Sequence, residues 1–197
     1  SLFIIFILIC FQGFLGWFMV KSGLINRVDV SHFRLSIHLV TAFIILSLIL
    51  WEILKYRNTY IAENHFIKWN LPSIFLSLIF LQIIFGAFVS GMDAGKIYNT
   101  WPLMGNNYFP DDNIFLNLFN IDALSDPSLV QFINRNLAYF ILFIFILIIY
   151  FVISEKLSKF YYILRLLGII LLAQIILGIL TVLNGAQMFL ASMHQLS

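Results

Sequence analysis

Charge is scarce in this sequence. Of its 197 residues only 10% are Asp, Glu, Lys or Arg, while 62% are hydrophobic and the mean hydropathy is +1.00. Soluble domains run near a quarter charged and half apolar, so the shortage excludes a globule solvated mainly by water. Cysteine is almost missing too: Cys10 is the one thiol, and it stands inside an apolar run. A disulfide framework and a CxxC redox motif are therefore excluded, and Cys10 reads as a lipid-facing or packing residue. The net charge of +2, with Lys and Arg spread over several short loops, provides no basic face and excludes nucleic acid as a partner. Residue 1 is Ser, the first apolar run has no basic region before it, and the last run stops soon after it begins. The chain thus reads as an internal fragment, with no signal peptide to assign.

What is present is a series of long apolar runs. A bilayer core takes about 20 apolar residues per helix, and runs of that size lie at Leu2–Val20, Leu35–Leu54, Leu71–Ser90, Val130–Ile153 and Ile163–Leu183. A sixth opens near Met188 and carries His194. The expected fold class is an all-α, multi-pass transmembrane bundle of five full spans and the start of a sixth, with the lipid bilayer as its solvent. Lys55, Arg57 and Lys68 follow the second run, and Lys156, Lys159 and Arg165 follow the fourth. By the positive-inside rule these loops face the cytoplasm or its equivalent. The long connection from Gly91 to Leu129 holds Asp93, Asp111, Asp112, Asp122 and Asp126 against Lys96, which fits the outside. Lys21, Arg27 and Arg34 in the first outer loop run against the rule, but strict alternation of spans outweighs them. Trp17, Tyr98, Trp101 and Tyr108 fall near outer span ends, at headgroup level.

A short pattern recurs on the outward-going first, third and fifth runs: Gln12 with Gly16, Gln82 with Gly86, and Gln174 with Gly178. Each puts an amide and, one turn on, a glycine on the same helical face. The simpler reading is close helix packing by a small residue. The sharper one is a cofactor face repeated in two related halves.

Ionisable side chains inside a span are costly and ask for a reason. His38 and His194 both lie about one helical turn below the outer surface. Imidazoles at matched depth in a bundle suit axial ligation of haem; a neutral histidine hydrogen-bonded within the bundle is the alternative for each. Arg34 and Arg135 stand at the outer mouths of inward-going helices. They are placed either to fork onto haem propionates or to snorkel to lipid phosphates. His32 and His65 read as solvent-facing loop residues without a role, and Glu52 and Glu63 as boundary residues at the inner surface. The loop from Gly91 to Gly105 carries glycines, a proline and aromatics without phosphate-binding or metal-ligand spacing, and reads as a structured lid or interfacial segment.

The words Gly86-Ala87-Phe88-Val89-Ser90-Gly91-Met92-Asp93-Ala94-Gly95-Lys96 and Tyr98-Asn99-Thr100-Trp101-Pro102-Leu103-Met104 closely resemble the signature loop of the haem A synthases. So do Gly16-Trp17-Phe18-Met19-Val20-Lys21-Ser22-Gly23-Leu24 and Arg34-Leu35-Ser36-Ile37-His38-Leu39. Val130-Gln131-Phe132 with Arg135, Leu137-Ala138-Tyr139, Leu177-Gly178-Ile179 and His194-Gln195 follow in the family's order. The resemblance covers nearly the whole chain. It implies an eight-helix architecture of two four-helix bundles, each holding a haem near the outer surface. On that mapping residues 1–54 are the second half of the N-terminal, substrate-side bundle, 55–70 a cytoplasmic-side linker, and 71–197 the C-terminal, haem b-side bundle truncated in its last helix.

His38 then resembles an iron ligand for the substrate, haem O, and His194 a ligand of haem b, with Arg34 and Arg135 beside them. The partner histidine and the acidic catalytic residue would lie on a helix outside the sequence. One position departs: where the family reads Val-Gln-Phe-x-His-Arg, this chain has Asn134. An amide is a poor iron ligand, so haem b would be held through His194 alone or with a weak or water-mediated sixth position. The implied activity is an oxidoreductase's: successive hydroxylation of the haem O methyl group to the formyl group of haem A for cytochrome oxidase biogenesis. Haem O synthase and a reduced carrier such as a ferredoxin are its expected partners, a homo-oligomer is compatible with it, and this stretch alone should be inactive. The expected location is the bacterial inner membrane, or the mitochondrial inner membrane if eukaryotic. The rivals are a non-enzymatic membrane haem b electron-transfer protein or degenerate copy, and a transporter. No span is visibly broken by Gly or Pro at mid-membrane, which ranks the transporter last.

Overall fold

The computed structural model describes residues 2–23, 30–56 and 70–196. Among them every long element is helical: α1 (Leu2–Gly23), α2 (His32–Tyr56), α3 (Asn70–Gly91), α4 (Pro127–Ser154), α5 (Tyr161–Leu183) and α6 (Met188–Leu196), with short 3-10 turns in the α3–α4 connection and before α5. The first five are long and apolar enough to cross a membrane. Expected runs and observed helices agree within a few residues at each end, because a bilayer imposes both the length and the intrahelical satisfaction of every backbone group. Arg57, Glu63, His65 and Lys68 lie outside the described residues, as does Arg27.

Helix ends follow local chemistry. Asp126 caps α4 by accepting from Leu129 N at 2.9 Å, with Pro127 in the first turn, where its missing N–H costs nothing. The end of α5 closes with Ala186 N to Thr181 O at 2.8 Å and Gly185 N to Val182 O at 3.1 Å, a Schellman arrangement with Gly185 at φ +64°. The same pair of bonds ends α4, from Leu157 N to Val152 O and Lys156 N to Ile153 O, both 3.0 Å. There Lys156 takes the left-handed position at φ +52°.

The helices pack as neighbours in sequence: α1 on α2, α2 on α3, α3 on α4 and α5 on α6. The α3–α4 seam holds two apolar clusters. Phe85, Phe88 and Val130 form the outer one, and Ile144, Ile148 and Val152 the inner one. No residue of α5 is fully buried; apart from the face of Gln174 and Gly178, which packs on α6, its side chains are largely apolar, as suits a span with much of its surface in lipid.

His32 does not lie in a solvent-facing loop. The Ser31 carbonyl accepts from Leu35 N at 3.0 Å, which opens α2 at His32, three residues before the apolar run at Leu35. The ring is half-buried, edge-on to Phe88 at 5.2 Å. Gly91 makes this possible, since a Cβ there would stand 2.9 Å from His32 Cα. The ends of α1, α3 and α5 and the starts of α2, α4 and α6 consequently share one face.

Candidate functional site

His38 lies six residues past His32 on α2, Asn134 seven past Pro127 on α4, and His194 six past Met188 on α6. At 1.5 Å per residue the three are about 10 Å below their helix starts. Each meets one of the Gln-x-x-x-Gly faces on the preceding helix.

On α1, Gln12 Nε2 donates to the His38 backbone carbonyl at 3.0 Å and lies 3.3 Å from its ring Nε2. One turn on, a Cβ at Gly16 would stand 3.2 Å from His38 Cε1, so the imidazole fills the space that a side chain at residue 16 would take. On α5, Gly178 stands in the same relation to His194, at 3.1 Å from Cε1, and the ring hydrogen-bonds the Gln174 backbone. Nδ1 of both rings is buried without a hydrogen-bond partner. A buried ring nitrogen that accepts no hydrogen bond is a suitable donor for a metal held in a ring. On α3, Gln82 Nε2 donates to the Asn134 carbonyl at 3.3 Å and to Asn134 Oδ1 at 3.0 Å, and Gly86 has no heavy atom within 4 Å of where its side chain would start. The glutamine-glycine pattern is thus both helix packing and a seat for one side chain. Among the described residues no three His, Cys, Asp or Glu side chains gather to hold a bare metal ion, which leaves His38 on α2 and His194 on α6 as candidate single donors.

The two arginines are placed differently. Arg34, one turn above His38 on α2, sets its guanidinium 5.2 Å from the Phe18 ring centre on α1. Arg135 turns up into the outer loop. Its Nη1 donates to the carbonyls of Thr100 at 2.9 Å and Leu103 at 3.3 Å, its Nη2 to that of Tyr98 at 2.8 Å, and Nε is buried with no partner.

The outer loop is built around acids that composition alone marks only as external charge. Asp112 accepts from Tyr98 Oη at 2.9 Å and Ser128 Oγ at 2.6 Å. Burial pushes its carboxyl up, but the bonds from Ser128 and Tyr98 outweigh that and hold it below the usual carboxylate range. Burial, then the Asp112 bond, pushes the Tyr98 phenol up, and burial followed by the neighbouring Tyr139 does the same for Tyr108. Asp111 receives Asn106 N at 3.1 Å and Asn107 Nδ2 at 2.6 Å around Gly105, which sits at φ +78°. Gln131, buried on α4, donates to the Tyr98 carbonyl at 3.0 Å, and Trp101 Nε1 donates to Tyr139 Oη at 2.8 Å. Gly95 lies close against the α5–α6 turn, where a Cβ would stand 3.2 Å from Ala186 Cβ. The loop therefore covers the outer ends of α3 to α6 just above Asn134. The sequence reading recognised the loop by its words but missed Asp112, Gln131 and the carbonyls of Tyr98, Thr100 and Leu103; spacing gives no signal for contacts between residues so far apart in the chain.

Residues 1–197, the whole chain, match the family described as cytochrome oxidase assembly protein, COX15-CtaA. The chain belongs to this family. Among curated relatives, the chain is 46% identical over 196 residues to the heme A synthase of Pelagibacter ubique, covering 98% of this chain and 56% of that protein. It is 41% identical over 194 residues to that of Rickettsia felis, covering 96% and 57%, and 41% identical over 199 residues to that of Rickettsia bellii, covering 99% and 59%. The chain thus spans somewhat more than half the length of these relatives. No solved structure matches it.

Proposed function

We propose that the protein to which this chain belongs is a haem A synthase, oxidising the methyl group of haem O to the formyl group of haem A by successive hydroxylations. The observation that carries this reading is the seat of His38, whose imidazole stands against Gly16 with a buried, unpartnered nitrogen, in a chain whose curated relatives are heme A synthases. Haem O is the substrate on the His38 side. The unused donor nitrogen of His194, whose ring is seated against Gly178, suits a resident haem b, which would supply one-electron redox capacity when bound. His38 and His194 would hold the iron; Gln12 keeps the His38 helix and ring oriented through its carbonyl; Arg34 would be placed for a propionate. Arg135 orders the loop carbonyls, and its Nε is the guanidinium atom left for a propionate. The loop lies over the outer ends of α3, α4 and α5 and would limit access of water to the His194 side, which strengthens the electrostatic interactions there. The catalytic acid belongs to the part of the protein outside this sequence. Electrons come from a reduced carrier such as a ferredoxin, haem O from haem O synthase, and the site of action is the inner membrane.

Co-expression of the full-length protein with haem O synthase in a host lacking haem A, followed by chromatography of extracted haems, tests this. The expected result is a haem A or hydroxylated haem O peak that His38→Ala removes. Unmodified haem O from well-expressed protein would overturn the reading.

A further inference from the structure

One local arrangement is built three times at one depth, and its third copy is filled differently. Gln12 addresses the carbonyl and the side chain of His38. Gln82 addresses the carbonyl and the side chain of Asn134 in the same way, and the Oε1 atoms of both glutamines are buried without a partner. Asn134 is therefore the positional counterpart of His38. The glycines show what differs. Gly16 and Gly178 each face an imidazole at 3.2 and 3.1 Å, whereas Gly86 faces open space, because the short amide turns toward Gln82 and no ring crosses in front of it. The donation from Gln82 Nε2 to the Asn134 carbonyl fixes which end of the Gln82 amide is nitrogen. Asn134 must then offer its oxygen, and its own NH2 is the group left to donate. Beside it stand Gly86 and the unpartnered Gln82 Oε1. Above this space the α3–α4 connection is held by Arg135 on α4, and its Gly95 lies against Ala186 in the turn that leads into α6, the helix of His194.

We propose that the Gln82–Gly86–Asn134 unit is an entry site for a small neutral ligand of iron, a water or a diatomic molecule, on a haem that has His194 as its only protein ligand. The inference rests on the haem-binding reading of this half. An amide does not compete for iron as an imidazole does, but its N–H can hydrogen-bond a ligand held there. A haem that a bis-imidazole site would close is thereby left open to exogenous binding, and its spin state and reactivity change accordingly.

Carbon monoxide is the probe. The full-length protein is purified with its haem in the His38→Ala background, which removes the first site's ligand, and reduced spectra are taken with and without the gas. The expected result is a CO-shifted Soret band in most of the bound haem, loss of that shift with a low-spin spectrum on Asn134→His, and loss of the haem on His194→Ala. Bound haem that is low-spin and indifferent to CO with Asn134 intact would overturn the proposal, as would an absence of haem that Asn134→His restores. The wild-type protein is expected to show a CO-reactive fraction at least equal to the haem that His38→Ala leaves behind, and none at all would overturn the proposal. Failure of these spectra leaves the haem A chromatography untouched, and failure of that conversion leaves the spectra interpretable, so the two readings fall separately.

Discussion

A methyl group added at Gly16 would start 3.2 Å from the His38 ring, and one at Gly178 would start 3.1 Å from the His194 ring, while one at Gly86 would meet nothing within 4 Å. Alanine is favoured over glycine inside a helix by about 1 kcal/mol, so the three substitutions share a helical gain and differ only in what the methyl displaces. Gly86→Ala is expected to leave haem content unchanged and to raise the thermal midpoint in detergent slightly. Gly16→Ala and Gly178→Ala are expected to turn their imidazoles and lower haem content at their own sites, read as haem-to-protein ratio and Soret position. Equal effects at all three positions would show that the glycines serve packing alone. The histidines were legible in the sequence because a titratable group inside an apolar run is conspicuous. Their glutamine and glycine partners were legible as a repeat, but which side chain each seats required the helix pairing.

The α3–α4 connection owes its shape to acids acting at fixed points. Asp126 caps α4 through Leu129 N and also receives Asn113 Nδ2 at 3.2 Å. Asp126→Ala is expected to cost about 1 kcal/mol, the ordinary value of a lost N-cap, read as a lowered unfolding midpoint in detergent, with Asp126→Asn recovering most of it. Asp112 gives a pH dependence whose sign follows from its depressed carboxyl. Its contribution is complete above the ordinary value of 3.8 and is lost as the pH falls below that through the folded value. Emission from Trp101, with the other tryptophans replaced by Phe, should therefore hold steady from neutral pH down to about 4 and change below it. Asp112→Asn should flatten that step. None of this was legible beforehand. The aspartates registered as negative charge outside the membrane, and a network such as Tyr98, Asp112 and Ser128 depends on long-range folding that no local pattern encodes.

At the scale of the molecule, the spans were legible because the bilayer allows so few solutions. A segment that cannot hydrogen-bond to its solvent must be a helix of about 20 residues, and α5, apolar over most of its length, needs no packing information to be recognised. The start of α2 was missed for the opposite reason, since Ser31 and His32 are polar and their helical state depends on the close approach of α3 at Gly91. The same reasoning fixes sidedness. Lys55 ends α2, and Lys156 and Lys159 join α4 to α5, all at the end of the bundle opposite Asp111, Asp112 and Asp122. By the positive-inside rule the lysine end is expected to be cytoplasmic. Single cysteines at Asp111 and at Lys159, in the full-length protein with Cys10 and any other native cysteine replaced, should then label from opposite sides. In intact cells with a permeable outer layer, a membrane-impermeant maleimide is expected to reach residue 111 and to miss residue 159 until the inner membrane is broken. Labelling of both in intact cells would mean that the α4–α5 connection is not on the cytoplasmic side. Labelling of residue 159 alone would invert the whole bundle and put the His38 and His194 seats near the cytoplasmic surface.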